Sequence, residues 1–232
     1  DFNLSLKSEE VDLARDIIAA FGYLTSGESA AHRLGGAGVD VVNEAFGRFI
    51  ADSFIDEKEL GQYLTPPEVV EFMVDLYLAG LSNEERSQLA DPAQWSDFGS
   101  VIDPSCGVSS FLTHFLRSAH HQVAGDDEDW IRRAAGELVV GIDKSELMIR
   151  LSLSNLAIFG AATANLHCGN ALARSGHEGA LNDGYVSKAA LILTNPPFGA
   201  SFEIEDLKAF RLARAVGKGS KSIDSELLFM ER

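Results

Sequence analysis

Four short apolar runs after residue 99 are the feature that most constrains the fold. They lie at residues 100–102, 138–142, 165–167 and 190–194. Residues 109–121 and 144–159, between these runs, have the spacing of apolar residues that predicts helices. Strands that alternate with helices pair in parallel in an open, twisted sheet. The sequence therefore predicts an α/β fold with a doubly wound, mostly parallel sheet, whose ligands bind beyond the carboxyl ends of the strands.

The first run is followed by a short glycine-containing turn, Asp103-Pro104-Ser105-Cys106-Gly107. Glycine in a tight strand-to-helix turn lets the backbone approach a ligand closely. Asp103 stands where the strand ends, at the mouth of the expected crevice, and its carboxylate can bind a cationic amine. The alternative, with about equal weight, is an ordinary turn in which Ser109 caps the next helix.

Single polar residues follow the second and third runs. Asp143 comes after the second run, at the position where an acidic residue commonly holds a ribose diol in such sheets. It also precedes a helix, so a capping role is compatible with it. Asn170 follows the third run and offers a donor and an acceptor to an adenine edge, although asparagine is equally common in turns.

The fourth run ends in Asn195-Pro196-Pro197-Phe198, which is the most specific signal in the sequence. The two prolines fix φ and remove two backbone donors, but their carbonyls can still accept hydrogen bonds. The Asn195 side-chain oxygen and the Pro196 carbonyl can therefore both accept from one exocyclic amino group. Phe198 offers a face on which a planar ring can stack. A proline-containing loop that merely ends a strand is the less favoured alternative.

Together these segments resemble the N6-adenine DNA methyltransferases, and most closely the modification subunits of type I restriction systems and related single-chain enzymes. Gly61-Gln62-Tyr63-Leu64-Thr65-Pro66 is similar to the family motif that precedes the cofactor loop. Residues 103–107 are similar to the cofactor loop and residues 195–198 to the catalytic motif. The motifs occur in the family's order, and the resemblance covers roughly residues 39–232.

The resemblance implies a Rossmann-like S-adenosylmethionine-dependent methyltransferase fold, and it implies which residues bind the cofactor. They are Tyr63, Thr65, Pro66, Asp103, Pro104, Ser105, Gly107, Ile142, Asp143 and Asn170. In this set Asp103 would hold the amino group of the cofactor and Asp143 the ribose hydroxyls. Asn170, with Ile142 nearby, would contact the adenine, and the residues at 63–66 would line the methionine end.

The resemblance also implies the catalytic residues, Asn195, Pro196, Pro197 and Phe198. Asn195 and Pro196 would accept hydrogen bonds from the target amine, and Phe198 would stack on an adenine flipped out of the duplex. Two acceptors on the amine would favour a more tetrahedral nitrogen and stabilise the positive charge that develops there. No metal is implied, because the methyl group of a sulfonium is already activated.

The net charge of −16 is the main compositional objection to a nucleic-acid partner, because phosphate contacts need Lys and Arg. Residues 207–222 are the one stretch with five basic residues and no acid. These residues are Lys208, Arg211, Arg214, Lys218 and Lys221. We expect them to contact DNA phosphates, with a solvated loop as the equally weighted alternative. A separate target-recognition domain or specificity subunit would read the DNA sequence, and a nuclease subunit is a further candidate partner.

The organisation of the chain is predicted from its helical patterns. Residues 8–24 and 39–56 read as amphipathic helices, which predicts an N-terminal helical segment over 1–60 and a catalytic core over 61–232. The core shows fewer parallel strands than the family fold, so we expect it to be incomplete at its C-terminus.

Cys106 and Cys168 match neither a disulfide framework nor a metal site, and no apolar run is long enough for a membrane span. These features predict a cytoplasmic protein.

A helix start is predicted at residues 65–68. Thr65 is expected to cap the helix, with Pro66 at the first helical position and Glu68 completing a capping box. The buried face of this helix is then expected to comprise Val69, Phe72, Met73 and Leu76.

Two departures from the family pattern bear on cofactor binding. Ser109 stands where the cofactor loop usually has a second glycine, and Asn170 stands where many relatives carry an aspartate. Two other functions share part of the pattern: methylation of protein glutamine or RNA, and a non-catalytic subunit that binds the cofactor or a partner. The motif at 61–66 favours DNA as the substrate, and the intact tetrapeptide at 195–198 argues against a decayed site.

Overall fold

The computed structural model describes residues 65–125, 127, 129–158, 160–161, 163–172, 188–198, 201–203, 210–211 and 222–231. All of them belong to one compact unit, Phe54–Arg232. The predicted helical segment at 1–60 lies outside the described residues, as does Tyr63.

The described helices occur before, between and after the strands. They are α1 (Pro67–Gly80), α2 (Asn83–Ala90), α3 (Trp95–Phe98), α4 (Ser110–Ala119), α5 (Trp130–Glu137), α6 (Glu146–Ile158) and α7 (Ser225–Glu231). A 3-10 turn at Pro92–Gln94 precedes α3, and a π-helical turn at His120–Ala124 extends α4. None of the described helices is long and apolar enough to cross a membrane.

The strands form two sheets. They are β1 (Ser100–Asp103), β2 (Val139–Asp143), β3 (Leu166–Cys168), β4 (Ala189–Ile192), β5 (Ser201–Glu203) and β6 (Ser222–Asp224). The larger sheet has the order β3-β2-β1-β4, and all its neighbours are parallel. β5 and β6 form a separate antiparallel pair. The predicted parallel strands, and the helices predicted at 109–121 and 144–159, are confirmed to within two residues at either end.

Side chains bury both faces of the two central strands. On one face, Val101 and Val139 belong to a large apolar cluster that contains the inner faces of α4 and α5. On the other face, Ile102, Val140 and Ile142 pack with a residue after β3 and with α7. Successive side chains of a strand point to opposite faces, so a strand covered on both sides must be apolar throughout. This is why the runs at 100–102 and 138–142 show no alternation of apolar and polar residues.

The start of α1 differs from the sequence prediction. The helix begins at Pro67, and Pro66 is the residue that precedes its first turn, with φ −53° and ψ 137°. No side chain caps this end, so the predicted Thr65 cap and capping box are wrong. The reason is the Pro-Pro sequence: a residue that precedes proline is excluded from the helical region, so Pro66 must be extended.

The buried face of α1 is also different. Val70, Val74 and Leu78, spaced four residues apart, are buried, with Met73 and Tyr77 partly buried against the same core. The predicted Val69, Phe72 and Leu76 are exposed, with exposed fractions of 43%, 66% and 62%. Apolar residues occur on both sides of this helix, and the sequence pattern alone did not distinguish the two stripes.

Gly99 joins α3 to β1 in a conformation that other residues avoid, with φ +98°. An added Cβ would lie 2.3 Å from the backbone oxygen of Lys188, which also accepts a hydrogen bond from the Ser100 amide. Gly136, by contrast, lies inside α5, and a Cβ added there would lie 3.8 Å from the nearest atom, a backbone oxygen.

We therefore expect opposite effects from the same substitution at these two glycines. Gly99→Ala should destabilise the chain by about 2–4 kcal/mol, because it combines a disfavoured φ with a backbone clash. Gly136→Ala should stabilise it by roughly 0.5–1 kcal/mol, because alanine loses less entropy in a helix. Urea unfolding followed by the fluorescence of Trp95 and Trp130, both buried, measures each change. Equal effects at the two positions would contradict this account of Gly99.

Candidate active site

Asp103 is the last residue of β1 and is buried, with an exposed fraction of 1%. Burial raises the pKa of its carboxyl group to about 7, and the negative charge of Asp143 adds to the rise. Hydrogen bonds from the Ser105 amide (3.1 Å to Oδ1) and from the Thr194 hydroxyl oppose it only in part. A buried carboxylate is costly without a cationic partner, so this position is suited to an ammonium group.

Asp143 ends β2 and holds the loop that follows β1. Its Oδ2 accepts a hydrogen bond from the Gly107 amide at 3.0 Å, and its Oδ1 accepts one from the Ser145 amide at 2.8 Å. The helix that follows is capped by Ser145, whose hydroxyl accepts from the Met148 amide at 3.4 Å. The capping role considered for Asp143 therefore belongs to Ser145. Asp143 remains partly exposed, and its oxygens retain lone pairs for a further donor.

α6 supplies two more contacts to the same loop, and the sequence analysis did not identify either. The Ser152 hydroxyl donates to the Gly107 carbonyl at 2.6 Å, and the Asn155 side-chain amide donates to the Val108 carbonyl at 2.9 Å. Both residues are buried. The signal in the sequence is a pair of polar residues three positions apart on one helix, which places them on one face.

The loop leaves open space above Gly107. Its φ is +51°, and an added Cβ would meet no atom within 4 Å in the described part of the chain. The backbone at this point can therefore face a ligand directly, as glycine in a tight turn allows.

Ser109, two residues later, adopts the left-handed conformation, with φ +63° and ψ +34°. It precedes α4, but its side chain makes no capping hydrogen bond, so the alternative in which Ser109 caps this helix is wrong. Apart from a contact with the Cys106 thiol, the hydroxyl has no hydrogen-bond partner among the described residues. Ser109 is fully buried, so its side chain does not occupy the crevice.

The turn after β4 lies against the loop after β1. The Ser105 hydroxyl is 2.6 Å from the Thr194 hydroxyl, and it lies 3.1 Å from the Asn195 carbonyl oxygen. On the other side of the turn, the Ser225 hydroxyl donates to the Pro197 carbonyl. Phe198 is half-exposed at the end of the turn. The structure thus brings together the predicted cofactor loop and the predicted catalytic tetrapeptide.

The remaining predicted site residues are placed less directly. Asn170 is exposed after β3, and its Oδ1 accepts from the Leu172 amide at 3.0 Å, so it forms the turn that was its alternative role. The Gly169 amide donates to the Asp143 carbonyl at 2.9 Å, which places this turn beside the end of β2.

The Ile142 side chain is buried in the core. Thr65, Pro66 and Pro104 are at least partly exposed, and a binding role for them stays a prediction.

Of the basic stretch at 207–222, only residues 210, 211 and 222 are described. The Arg211 side chain is 86% exposed, and its Nε lies 3.8 Å from Oε1 of Glu231. The predicted phosphate contacts of this stretch therefore stay a prediction.

A parallel sheet of order β3-β2-β1-β4, with acidic residues at the ends of β1 and β2 and a glycine loop between them, defines a Rossmann-like α/β fold. The same fold occurs in a protein from Vibrio vulnificus YJ016 that is assigned as the modification subunit of a type I restriction enzyme. That match has a TM-score of 0.59 and 20% identity, and covers 94% of this chain and 38% of that one. A complex of DrdV with DNA matches with a TM-score of 0.58 and 17% identity, over 97% of this chain and 24% of DrdV.

The sequence comparisons identify the family. A family model for N-6 DNA methylases matches residues 38–229. The type II methyltransferase M.MamI of Microbacterium ammoniaphilum is 31% identical over 163 residues, which are 69% of this chain. The chain belongs to the N-6 DNA methylase family, as the sequence motifs predicted. It spans 40% of the length of M.MamI.

The conformation of Ser109 gives a first prediction for the site. Ser109→Gly should stabilise the chain, because glycine adopts a left-handed φ without the cost of about 1–2 kcal/mol that a Cβ brings. Ser109→Ala is the matched control, since it removes the hydroxyl but keeps the Cβ. We expect the glycine variant to be more stable than the alanine variant by about 1 kcal/mol in urea unfolding. An alanine variant as stable as the glycine variant would show that Ser109 is not strained.

The burial of Asp103 predicts a pH-dependent stability. Its folded pKa is raised from 3.8 to about 7, so the stabilisation is fully present below the unfolded pKa and is lost as the pH rises through about 7. Measured against Asp103→Asn, the free energy of unfolding should fall by about 2–3 kcal/mol between about pH 5 and pH 8. Urea titrations of both proteins at several pH values measure this. A constant difference across that range would show that Asp103 ionises normally in the folded chain.

Proposed function

We propose that this chain carries the cofactor-binding and catalytic core of a site-specific DNA methyltransferase of a restriction–modification system. In this proposal, the methyl group of S-adenosylmethionine is transferred to the N6 amino group of an adenine flipped out of the duplex. One observation carries the proposal: the Asp103–Gly107 loop and the Asn195–Phe198 turn are joined through the Ser105 and Thr194 hydroxyls, 2.6 Å apart. Cofactor and target base would then meet at one edge of the sheet.

The residues present fit the cofactor. Among the described residues, the space above Gly107 is open and the buried Asp103 carboxyl has no cationic partner. An ammonium group bound there would therefore displace no existing ion pair. Asp143, partly exposed at the end of the neighbouring strand, retains acceptor capacity for a ribose hydroxyl. We assign the amino group to Asp103, the ribose to Asp143 and the backbone contact to Gly107. When bound, the cofactor supplies an activated methyl group on a sulfonium.

The role of the chain at the target base is to accept and orient one amine. The amine of adenine is a weak nucleophile, because its lone pair is delocalised into the ring. The Asn195 side-chain oxygen and the Pro196 carbonyl would each accept a hydrogen bond from one N–H group of the amine. These two hydrogen bonds favour a tetrahedral nitrogen and stabilise the positive charge that develops on it during attack. Phe198, half-exposed beside them, would stack on the base. Most of the acceleration would then come from alignment of the two reactants.

The partners of this core follow from its charge and its size. The chain has a net charge of −16 and spans 40% of M.MamI, so we assign the reading of the DNA sequence to another domain or to a specificity subunit. The basic residues at 207–222 would contact phosphates next to the flipped base. A DNA substrate is consistent with the cytoplasmic location that the cysteine usage predicts.

Cofactor binding and methyl transfer can be tested separately. We expect micromolar binding of S-adenosylmethionine by calorimetry, and an affinity at least about 10-fold weaker for Asp103→Asn. Urea unfolding of Asp103→Asn beside the parent protein checks that the loss of affinity does not come from unfolding. Asn195→Ala should keep the affinity within about twofold while transfer to DNA falls by roughly 10²–10³-fold.

Transfer of labelled methyl groups is measured on unmethylated DNA, with RNA and a glutamine-containing protein substrate as controls. Because the chain spans only part of its relatives, these assays use the whole protein in which it occurs. Labelling of the RNA or of the protein in preference to DNA would assign the chain to the alternative methyltransferases. Binding without transfer to any of the three would favour a non-catalytic cofactor-binding subunit.

A further inference from the structure

The backbone of the turn at residues 195–197 can be held from outside in only a few ways. Pro196 and Pro197 have no amide hydrogen, so a hydrogen bond to either residue's backbone must be made to its carbonyl. The carbonyl in the middle, that of Pro196, is the one assigned to the target amine. A donor that fixes the turn without competing for that acceptor must therefore reach the carbonyls on either side of it.

Two serine hydroxyls from different parts of the chain make these flanking contacts. Ser105, in the loop after β1, lies 3.1 Å from the Asn195 carbonyl oxygen. Ser225, the first residue of α7, donates to the Pro197 carbonyl. The two serines are 120 positions apart in the sequence (225 minus 105) and contact neighbouring carbonyls of the same turn.

Proton counting defines the direction of the bond at Ser105. A serine hydroxyl carries one proton, and Ser105 lies near two oxygens, the Asn195 carbonyl and the Thr194 hydroxyl. A carbonyl can only accept, so the Ser105 hydroxyl donates its proton to Asn195. The Thr194 hydroxyl lies beside it and also forms a hydrogen bond with the Asp103 carboxyl.

Ser225 has a similar choice of acceptors. Its hydroxyl contacts the Pro197 carbonyl and lies 3.1 Å from Oε2 of Glu226. The Pro197 carbonyl is the closer of the two. Ser225 is fully buried, so solvent does not compete for this hydrogen bond.

We propose that Ser105 and Ser225 are positioning residues, which hold the Asn195 and Pro197 carbonyls so that the Pro196 carbonyl and the Asn195 side chain keep a fixed geometry toward the target amine. The proposal rests on the proposed function for the identity of the amine. It gives Ser105 a different role from the cofactor contact that the family resemblance implies. The Ser105 hydroxyl acts on the target side of the site, and its loop acts on the cofactor side.

The test compares Ser105→Ala with Ser105→Thr, which keeps the hydroxyl, and with Ser154→Ala as a matched control. Ser154 is an exposed serine of α6 whose hydroxyl also donates to a backbone carbonyl, that of Arg150. We expect Ser105→Ala to lower kcat for DNA methylation about 10-fold, with the dissociation constant of the cofactor changed by less than about twofold. Ser105→Thr should recover most of kcat, and Ser154→Ala should match the parent protein.

A second measurement does not depend on activity. Hydrogen–deuterium exchange in the peptide spanning residues 193–198 should be roughly 3- to 10-fold faster in Ser105→Ala and in Ser225→Ala than in Ser154→Ala. If Ser225→Ala does not fold, Ser105→Ala alone provides the comparison, because Ser105 is partly exposed.

The outcomes separate this proposal from the function on which it rests. A parent protein that methylates no DNA defeats the proposed function, while faster exchange in the serine variants still supports the two hydrogen bonds. Unchanged exchange and unchanged kcat in Ser105→Ala overturn the positioning role. A loss of cofactor affinity at unchanged kcat overturns it as well, because it shows that Ser105 is a cofactor contact.

Discussion

The attachment of the loop after β1 to β2 and α6 is the constraint on which the rest of the site depends. The Ile142 carbonyl accepts from the Cys106 amide at 2.8 Å, and the Asp143 carboxylate accepts from the Gly107 amide. Ser152 and Asn155, both on α6, donate hydrogen bonds to the carbonyls of the next two loop residues, Gly107 and Val108. These bonds use the backbone groups on the buried side of the loop and leave its other side, above Gly107, open. Asp103 directly precedes this loop and Ser105 lies within it, so the placement of both depends on the same attachment.

The electrostatics of the crevice give a physical reason why an acidic core is compatible with the proposed action on DNA. Asp103 and Asp143 lie at the ends of adjacent parallel strands, and burial, with a smaller contribution from the negative charge of Asp143, raises the pKa of Asp103. That arrangement repels phosphate but favours a ligand that carries an ammonium and a sulfonium. Attraction of the polyanion would have to come from elsewhere, and the proposal assigns it to the stretch at 207–222 and to partner domains or subunits.

The sequence predicted the elements whose physical signal is local. β1 and β2 are buried on both faces, so their apolar runs were unambiguous, and Asp103 and Asp143 followed because ligands bind beyond the ends of parallel strands. The buried face of α1 could not be predicted, because apolar residues occur on both of its sides and tertiary packing selects the stripe that contains Val74. Ser152 and Asn155 were missed for a related reason: their partners are backbone carbonyls far along the sequence. Short-range patterns do not report such contacts.

The serine at the second glycine position of the loop is the departure that most needed the structure. A left-handed residue with a Cβ costs about 1–2 kcal/mol. The buried hydrogen bonds that hold the loop contribute about 1 kcal/mol each, and three of them come from the side chains of Asp143, Ser152 and Asn155. Their sum exceeds the strain, so the loop keeps the conformation that a glycine would adopt. Because the Ser109 side chain is buried, the substitution adds no atoms to the surface that would face the proposed cofactor. The departure therefore bears on the stability of the loop and not on the ligand that the loop can hold.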